Sequence, residues 1–170
     1  ITLNPKRGNK GKGFSVKEGV GIAKYQNILF FDADLSTPLK EVDNFLAEMD
    51  KNNYDIIIGS RNSTESKINR STKRTIISYT FALLKKIICN IYYLDTQCGF
   101  KMFKKEIAKN IFKKITIDGF TFDVEMLVIA KNSNYKVKEQ PIEWHESEGT
   151  SINILKQSVK MLKDLFIIRK

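Results

Sequence analysis

The sequence predicts an α/β domain in which a mostly parallel sheet is covered by helices on both faces. Two short hydrophobic runs, Asn27 to Phe31 and Tyr54 to Ile58, have the length and composition of strands buried on both faces. A helical segment separates them, and strand–helix–strand alternation is typical of a parallel sheet. Both runs end in polar residues, at the position where open α/β sheets bind their ligands.

The other elements follow from hydrophobic periodicity and from helix start and stop signals. The helix between the two strands is predicted over Pro38 to Lys51, with Thr37 as its cap and Pro38 at its first position. The remaining predictions are helices over Phe14 to Lys24, Ser71 to Tyr92, Lys105 to Phe112, Phe122 to Asn132 and Ile152 to Ile168, and strands over Lys101 to Phe103 and Tyr135 to Ile142.

Composition limits the classes of protein that need to be considered. The 170 residues are enough for one domain, and 42% hydrophobic with 11% aromatic residues is ordinary for a globular protein. The formal charge of +10 favours anionic partners, but only five of the 29 basic residues are Arg, so we interpret much of this charge as solvated lysine. Cys89 and Cys98 match no metal-ligand spacing. No apolar run reaches the roughly 18–20 residues needed to cross a bilayer.

Two carboxylates, Asp32 and Asp34, follow the first strand directly. Hard oxygen ligands at a strand end suit Mg²⁺ or Mn²⁺ carrying a diphosphate, since these ions keep few protein ligands and bind phosphate oxygens. The alternative is that Asp34 caps a helix and Asp32 is merely solvated. The two residues alone do not decide between these interpretations.

Basic residues near the same strand ends are candidates for an anion site. Arg61 follows the second strand and could offer its planar guanidinium to a phosphate, and Arg70 and Arg74 lie one turn apart near the start of the next helix. The alternative for Arg61 is a surface salt bridge. The Gly-rich segment Gly8 to Gly13 could cradle phosphate, but by itself it is better interpreted as a flexible basic loop.

Two further segments leave alternatives open. Asp123 and Glu125 flank the start of a helix, where either is a general base or only a favourable N-terminal charge. The helix from Ser71 is apolar on most faces but interrupted by Lys85 and Lys86, so it is either a core helix or a membrane-surface helix. The last helix is amphipathic, with Val159, Leu162 and Phe166 on its predicted apolar stripe.

Taken together, the motifs resemble glycosyltransferase family 2 with the Rossmann-like GT-A fold, and within it the dolichyl-phosphate β-glucosyltransferase type. The resemblance rests on their order along the chain. The motifs are Asn9-Lys10-Gly11-Lys12-Gly13, Asp32-Ala33-Asp34-Leu35-Ser36-Thr37, Gly59-Ser60-Arg61, Asp95-Thr96-Gln97-Cys98-Gly99-Phe100-Lys101, Phe122-Asp123-Val124-Glu125 and Glu148-Gly149-Thr150-Ser151.

The resemblance implies an inverting transfer of a hexose, glucose in this branch, from a nucleotide diphosphate sugar such as UDP-glucose to a polyprenyl phosphate. Asp32 and Asp34 would hold Mg²⁺ or Mn²⁺, and Lys10 and Lys12 would lie near the nucleotide. The acceptor phosphate would be bound by Arg61 with Arg70 or Arg74. Asp123 matches the base of many GT-A enzymes, here either a base or an orienting group. Gln97 and Lys101 belong to the most discriminating motif.

Ser36 departs from the pattern of the related mannose synthases, which often carry Gln at this position as a further metal ligand, and the departure favours the glucosyl branch. The family's N-terminal strands, which bind the nucleotide base, are not apparent. We therefore interpret residues 1–170 as a single partial GT-A domain and expect this chain alone to have weak or no activity.

Two competing functions remain at this stage. One is a family 2 enzyme with a glycan or protein acceptor, for which Asp123 would be an obligatory base; the other is a nucleic-acid-binding module, which the scattered lysines and the lack of a recognised motif disfavour. A lipid acceptor places the enzyme at a membrane surface. The expected location is the cytoplasmic face, of the endoplasmic reticulum in a eukaryote or of the plasma membrane in a prokaryote.

Overall fold

A four-stranded sheet with helices on both faces organises the residues that the computed structural model describes. These are residues 10–61, 72–145 and 154–169, with the backbone alone described at 72–79 and 154–158. Within these ranges the strands are β1 (Asn27–Phe31), β2 (Ile56–Ser60), β3 (Phe100–Lys104) and β4 (Val137–Pro141). The helices are α1 (Lys12–Ile22), α2 (Glu41–Asn52), α3 (Thr72–Cys89), α4 (Lys105–Lys114), α5 (Phe122–Asn132) and α6 (Ile154–Ile168).

The sheet has the order β1-β3-β2-β4, and β3 runs against both of its neighbours. Phe31 lies opposite Phe100, Ile58 lies opposite Lys101, and β2 pairs in parallel with β4. β1, β2 and β4 therefore share one direction, as expected. The expectation of a mostly parallel sheet is wrong for the two pairings of β3. The loop 90–99 brings the chain to the edge where β1 and β2 end, so β3 starts there and runs back.

Alternation along β2 and β3 divides the core into two layers. Ile56, Ile58 and Phe103 face the layer formed with α1, α3, α4, α5 and α6, whereas Ile57, Phe100 and Met102 face the layer under α2. This arrangement confirms that helices cover both faces. Because both faces are buried, β2 begins with a hydrophobic run that lacks the polar alternation of a half-exposed strand. β3 is likewise buried on both faces, but it includes the buried Lys101.

The structure moves several predicted boundaries and confirms others. β1 and α5 have the bounds that the sequence predicts, but α2 begins at Glu41 and not at Pro38. Thr37 is buried, and the preceding carbonyl of Ser36 accepts a hydrogen bond from the backbone N–H of His145 at 2.8 Å. The N-cap position of α2 is Lys40, and the backbone N–H of Glu41 donates to the carbonyl of Pro38 at 3.1 Å, so residues 38–40 form a turn before the helix. The expectation that Thr37 caps α2 is therefore wrong.

The two helices with a possible surface role are each partly buried. On α3, Phe81, Leu84 and Ile88 pack against the core, whereas Leu83 and Ile87 are exposed. On α6, Leu162 and Leu165 face the core, but Val159 and Phe166 are exposed, so the predicted stripe is wrong for these two residues. No helix in the described part of the chain combines the length and apolarity needed to span a membrane.

The layer under α2 provides a test of the packing. Phe45 is fully buried and meets the Phe100 ring edge-on, with 5.0 Å between ring centroids. We predict that Phe45→Ala lowers the free energy of unfolding by about 3–5 kcal/mol because it leaves a cavity between helix and sheet. Phe166→Ala, at an exposed position of α6, is the matched control and should cost about 1 kcal/mol or less. Equal losses in urea titrations of the two variants would contradict this packing.

Candidate functional site

The end of β1 presents two carboxylates on a tight turn. The backbone N–H of Asp32 donates to the carbonyl of Gly99 at 2.9 Å, and the N–H of Leu35, which has a φ of 53°, returns to the Asp32 carbonyl at 3.1 Å. One carboxylate oxygen of Asp34 accepts from the N–H of Ser36 at 3.1 Å. These bonds fix the backbone at both acids, while the Asp34 residue remains exposed.

Gly99 is required by the close approach of the Asp32 side chain. A Cβ atom placed on Gly99 would overlap both carboxylate oxygens of Asp32. The start of β3 therefore forms one wall around Asp32. A larger residue at position 99 would force the Asp32 carboxylate to move, because this group at the end of the side chain is what the added atoms would meet.

Asp32 lies in a cleft of about 440 Å³ between β1 and the start of α1, lined also by Gly11, Lys12 and Phe120. The Nζ atom of Lys12 is 2.7 Å from Oδ1 of Asp32, and their side chains are 22% and 43% exposed. Gly11 has a φ of 115° and lies against the Asp118 carbonyl, which holds the N-terminus of α1 beside the cleft. Lys10 lies over the Phe14 ring, with its Nζ 4.8 Å from the centroid.

The donor set at this edge fits a divalent cation that keeps other ligands of its own. Asp32 and Asp34 offer hard carboxylate oxygens. The ammonium of Lys12 already places a positive charge beside the Asp32 carboxylate. In the described ranges no third carboxylate, His or Cys joins them in a cluster. Two protein ligands suit Mg²⁺ or Mn²⁺, whose remaining ligands are commonly water and phosphate oxygens.

Arg61, at the end of β2, is held by an acid that the sequence analysis did not single out. Its Nε and Nη2 donate to the two carboxylate oxygens of Asp95 at 2.7 and 2.9 Å, and its backbone N–H donates to the same group at 3.0 Å. Two nitrogens of the fork that the sequence analysis assigned to a phosphate, Nε and Nη2, therefore face Asp95, and Asp95 does not contact Nη1. The alternative of a surface salt bridge is incomplete, since the Asp95 side chain is only 5% exposed.

The charges of this pair stabilise each other. Burial would raise the pKa of the Asp95 carboxyl, but the charge and hydrogen bonds of Arg61 lower it to about 2. Burial would likewise lower the pKa of Arg61, whereas the Asp95 carboxylate raises it above its ordinary value. Asp95 is the only acid in the motif that runs to Lys101. A buried acid requires a cationic or hydrogen-bonding partner. This requirement was the signal that could have indicated a partner for Asp95.

Asp123, in the first turn of α5, forms a buried ion pair with Lys101 of β3. Its Oδ1 is 2.6 Å from the Lys101 Nζ, and the two side chains are 2% and 0% exposed. Burial raises the pKa of Asp123, against the opposing charges of Lys101 and Lys12. Lys101 also donates to the carbonyl of Cys98. Glu125 instead accepts the backbone N–H groups of Thr116 and Ile117, so its role is structural.

The structure brings only some of the predicted site residues together. Asp32 and Arg61 lie at the same edge of the sheet, because β1 and β2 both end where β3 begins. The amide of Gln97 points instead to the sulfur of Met161 in α6, at 4.0 Å. Arg70 and the side chain of Arg74 lie outside the described residues.

Comparison with known proteins identifies relatives for most of this chain. Residues 1–112 match the family model "Glycosyl transferase family 2". The chain is 34% identical to the dolichyl-phosphate beta-glucosyltransferase of Dictyostelium discoideum, over 99% of this chain and 54% of that protein. It is 33% identical to the human enzyme of the same name, over 95% of this chain and 52% of that protein. The chain thus spans about half the length of the curated relatives it matches.

Solved structures support the fold. A glucosyl-3-phosphoglycerate synthase from Mycobacterium tuberculosis, in complex with Mn²⁺, uridine-diphosphate-glucose and phosphoglyceric acid, superposes with a TM-score of 0.68. The match has 12% sequence identity and covers 99% of this chain and 56% of the other. A UDP complex of the same enzyme gives a TM-score of 0.66. At this level of identity the likeness confirms the expected GT-A fold.

The Arg61–Asp95 pair predicts an acid-sensitive contribution to stability. Because Asp95 has a pKa of about 2 against an ordinary value of 3.8, the contribution is present above about pH 4 and is lost as the pH falls towards 2. We predict that Asp95→Asn lowers the free energy of unfolding by on the order of 2 kcal/mol at pH 7 and by much less near pH 2.5. Asp43→Asn, at an exposed position of α2, is the control. A loss for Asp95→Asn that does not depend on pH, in urea titrations at the two pH values, would contradict the assignment.

Proposed function

The chain belongs to glycosyl transferase family 2, and from that premise we propose that the complete protein that carries these residues catalyses an inverting transfer of glucose from UDP-glucose to a polyprenyl phosphate. Its curated relatives are named dolichyl-phosphate beta-glucosyltransferases. The observation that carries the proposal is that an exposed acidic pair and a fixed arginine share one edge of the sheet. A sugar nucleotide and an anionic acceptor bound to these two groups would meet at that edge.

The donor end of the proposed site consists of Asp32, Asp34 and Lys12. Asp32 and Asp34 would hold Mg²⁺ or Mn²⁺, and the solved neighbour in complex with Mn²⁺ and UDP-glucose supports this choice. When bound, such an ion supplies positive charge that offsets the charge developing on the departing nucleoside diphosphate. Lys12 is placed to exchange its bond with Asp32 for a bond to a phosphate oxygen, since both side chains of that pair are partly exposed. Lys10 would lie further out along the nucleotide.

The acceptor end consists of Arg61, with Arg70 or Arg74 as a second cation. A phosphate monoester is already anionic near pH 7, so its oxygen needs little deprotonation before it attacks the anomeric carbon from the face opposite the leaving group. Positioning then accounts for much of the rate. In this proposal Asp123 is an orienting group and not the base, because its carboxylate is bound to Lys101 and almost fully buried.

A lipid-linked acceptor requires that the site reach a membrane surface. Support comes from exposed apolar side chains on α3 and α6, two helices that pack against each other. They are Leu83 and Ile87 on α3, and Val159, Phe166 and Ile167 on α6. Lys86 lies over the ring of Tyr92 beside this surface, with its Nζ 5.2 Å from the centroid, a pairing suited to an anionic lipid interface. We place the enzyme on the cytoplasmic face of the membrane that holds its acceptor.

The direct test is transfer of radiolabelled glucose from UDP-glucose to dolichyl phosphate by the complete protein that carries these residues. We predict a lipid-linked product that requires Mg²⁺ or Mn²⁺, and a loss of about 100-fold or more in Asp34→Asn, because the metal loses a charged ligand. Asp43→Asn should retain the activity of the unaltered protein. Absence of product with UDP-glucose and with other sugar nucleotides, or a product that persists in EDTA, would contradict the proposal.

Asp123 distinguishes a phosphate acceptor from a glycan or protein acceptor. A hydroxyl acceptor needs a base, whose removal typically costs 10²–10⁴-fold in rate. We predict that Asp123→Asn keeps at least about a tenth of the activity with dolichyl phosphate, since the amide oxygen still accepts from Lys101. A loss of about 1000-fold, with an unchanged thermal midpoint, would instead indicate that Asp123 is the base.

A further inference from the structure

A partly buried cluster of alternating charges surrounds Arg61 and is not explained by donor binding. Glu139 of β4 accepts the backbone N–H groups of Leu94 and Asp95 at 2.9 and 2.7 Å. The Nζ of Lys85, from α3, donates to Thr96 Oγ1 at 3.1 Å. Positive and negative groups therefore alternate through Arg61, Asp95, Lys85 and Glu139, with α3, β2, β4 and the 94–96 loop each contributing to the cluster.

Forming this cluster carries a desolvation cost, because some of its charged groups are buried. Asp95 and Lys85 are both among the buried charged residues, and burial lowers the pKa of Lys85 to about 8 despite the opposing effect of Asp95 and Glu139. A turn at the end of β2 can be stabilised with neutral groups at a smaller desolvation cost. The presence of charged groups here therefore suggests that they have a role that an uncharged turn could not fill.

The arrangement fixes the direction of one guanidinium group. Asp95 takes the Nε and Nη2 atoms of Arg61, and the ring of Trp144 lies 5.5 Å from its central carbon. Nη1 is then the part of the fork that Asp95 does not contact. An arginine held in this way loses little side-chain entropy when it binds an anion, so the binding free energy is not spent on ordering it.

We propose that Asp95 is a positioning residue that aims Arg61 at the phosphate of the acceptor, with Glu139 holding the backbone of Asp95 in place. The inference rests on the proposed function, because it takes Arg61 as the acceptor-phosphate ligand. Asp95 itself does not touch the acceptor. Its removal should therefore weaken acceptor binding and leave donor binding unchanged, although it frees a positive charge that a purely electrostatic view would expect to strengthen anion binding.

The experiment measures initial rates of the complete protein with saturating UDP-glucose and Mn²⁺ and with increasing farnesyl phosphate, a short acceptor probe. Asp95→Asn should raise the KM for farnesyl phosphate about tenfold and change the KM for UDP-glucose less than twofold. Asp55→Asn is the matched control, since Asp55 lies just before β2, at the opposite end of that strand, and is paired with Lys104 at 3.1 Å. An acceptor KM that stays constant or falls in Asp95→Asn overturns the inference.

A double-mutant cycle separates positioning from a general loss of structure. Arg61→Lys keeps the charge but removes the planar fork, so Asp95→Asn should change the acceptor KM less than twofold in that background. Independent, multiplicative effects of the two substitutions would overturn the positioning role. If Asp95→Asn does not fold, Glu139→Gln provides the second variant: it should raise the acceptor KM selectively by a smaller factor, and an unchanged KM overturns the inference.

Calorimetric measurement of farnesyl phosphate binding distinguishes a failure of the positioning role from a failure of the proposed function. If the unaltered protein binds this probe without transferring glucose, and Asp95→Asn weakens the binding, the proposed function fails and the positioning role stands. If transfer occurs and neither binding nor KM responds to Asp95→Asn, the positioning role fails and the proposed function stands. If the unaltered protein neither binds nor glucosylates the probe, both fail.

Discussion

The antiparallel insertion of β3 between β1 and β2 is the constraint on which the site depends. The chain enters β3 at the edge where both neighbours end. One short segment, Asp95 to Lys101, therefore meets three different partners: Asp95 binds Arg61, Gly99 contacts Asp32, and Lys101 pairs with a carboxylate on α5. If β3 ran in the opposite direction, the segment would lie at the far edge and none of these contacts would form.

The two ends of the proposed site differ in how firmly their charges are held. At the end of β1, the Asp32–Lys12 pair is partly exposed, as the proposed exchange of partners with an ion and a diphosphate requires. At the end of β2, the Arg61 side chain is fixed because two of its nitrogens donate to the carboxylate of the buried Asp95. This difference suits the two proposed substrates, because a metal–nucleotide complex brings its own ligands whereas an acceptor phosphate depends on a preformed receptor.

Local signals in the sequence were sufficient for the elements and for the acidic pair. β1 and α5 follow from uninterrupted local patterns, and Asp32 and Asp34 were predicted at the edge where they lie. The reversal of β3 was not predicted, because its direction depends on where the loop 90–99 delivers the chain and not on the five residues of the strand. The apolar face of α6 was misassigned at Val159 for a similar reason: its exposure depends on the neighbours of the helix.

The partners of the buried charges could not be predicted from their own positions. Asp95 and Arg61 are 34 residues apart, and Lys101 and Asp123 are 22 apart, so both pairs depend on the strand register. The sequence motifs did indicate that these residues matter, but not that Asp95 would occupy the fork of Arg61. The family resemblance assigned that fork to a phosphate, and only the geometry shows which of its nitrogens Asp95 takes.

The proposed function depends most on Asp32 and Asp34 holding a divalent cation with the diphosphate of a sugar nucleotide at this edge of the sheet. The most direct measurement is a crystal structure of the complete protein with Mn²⁺ and UDP-glucose, with data collected for the anomalous signal of manganese. We predict a manganese peak bound by both carboxylates, with the ammonium of Lys12 moved from Asp32 to a phosphate oxygen. A nucleotide bound at another surface, or a manganese ion that contacts neither carboxylate, would contradict it.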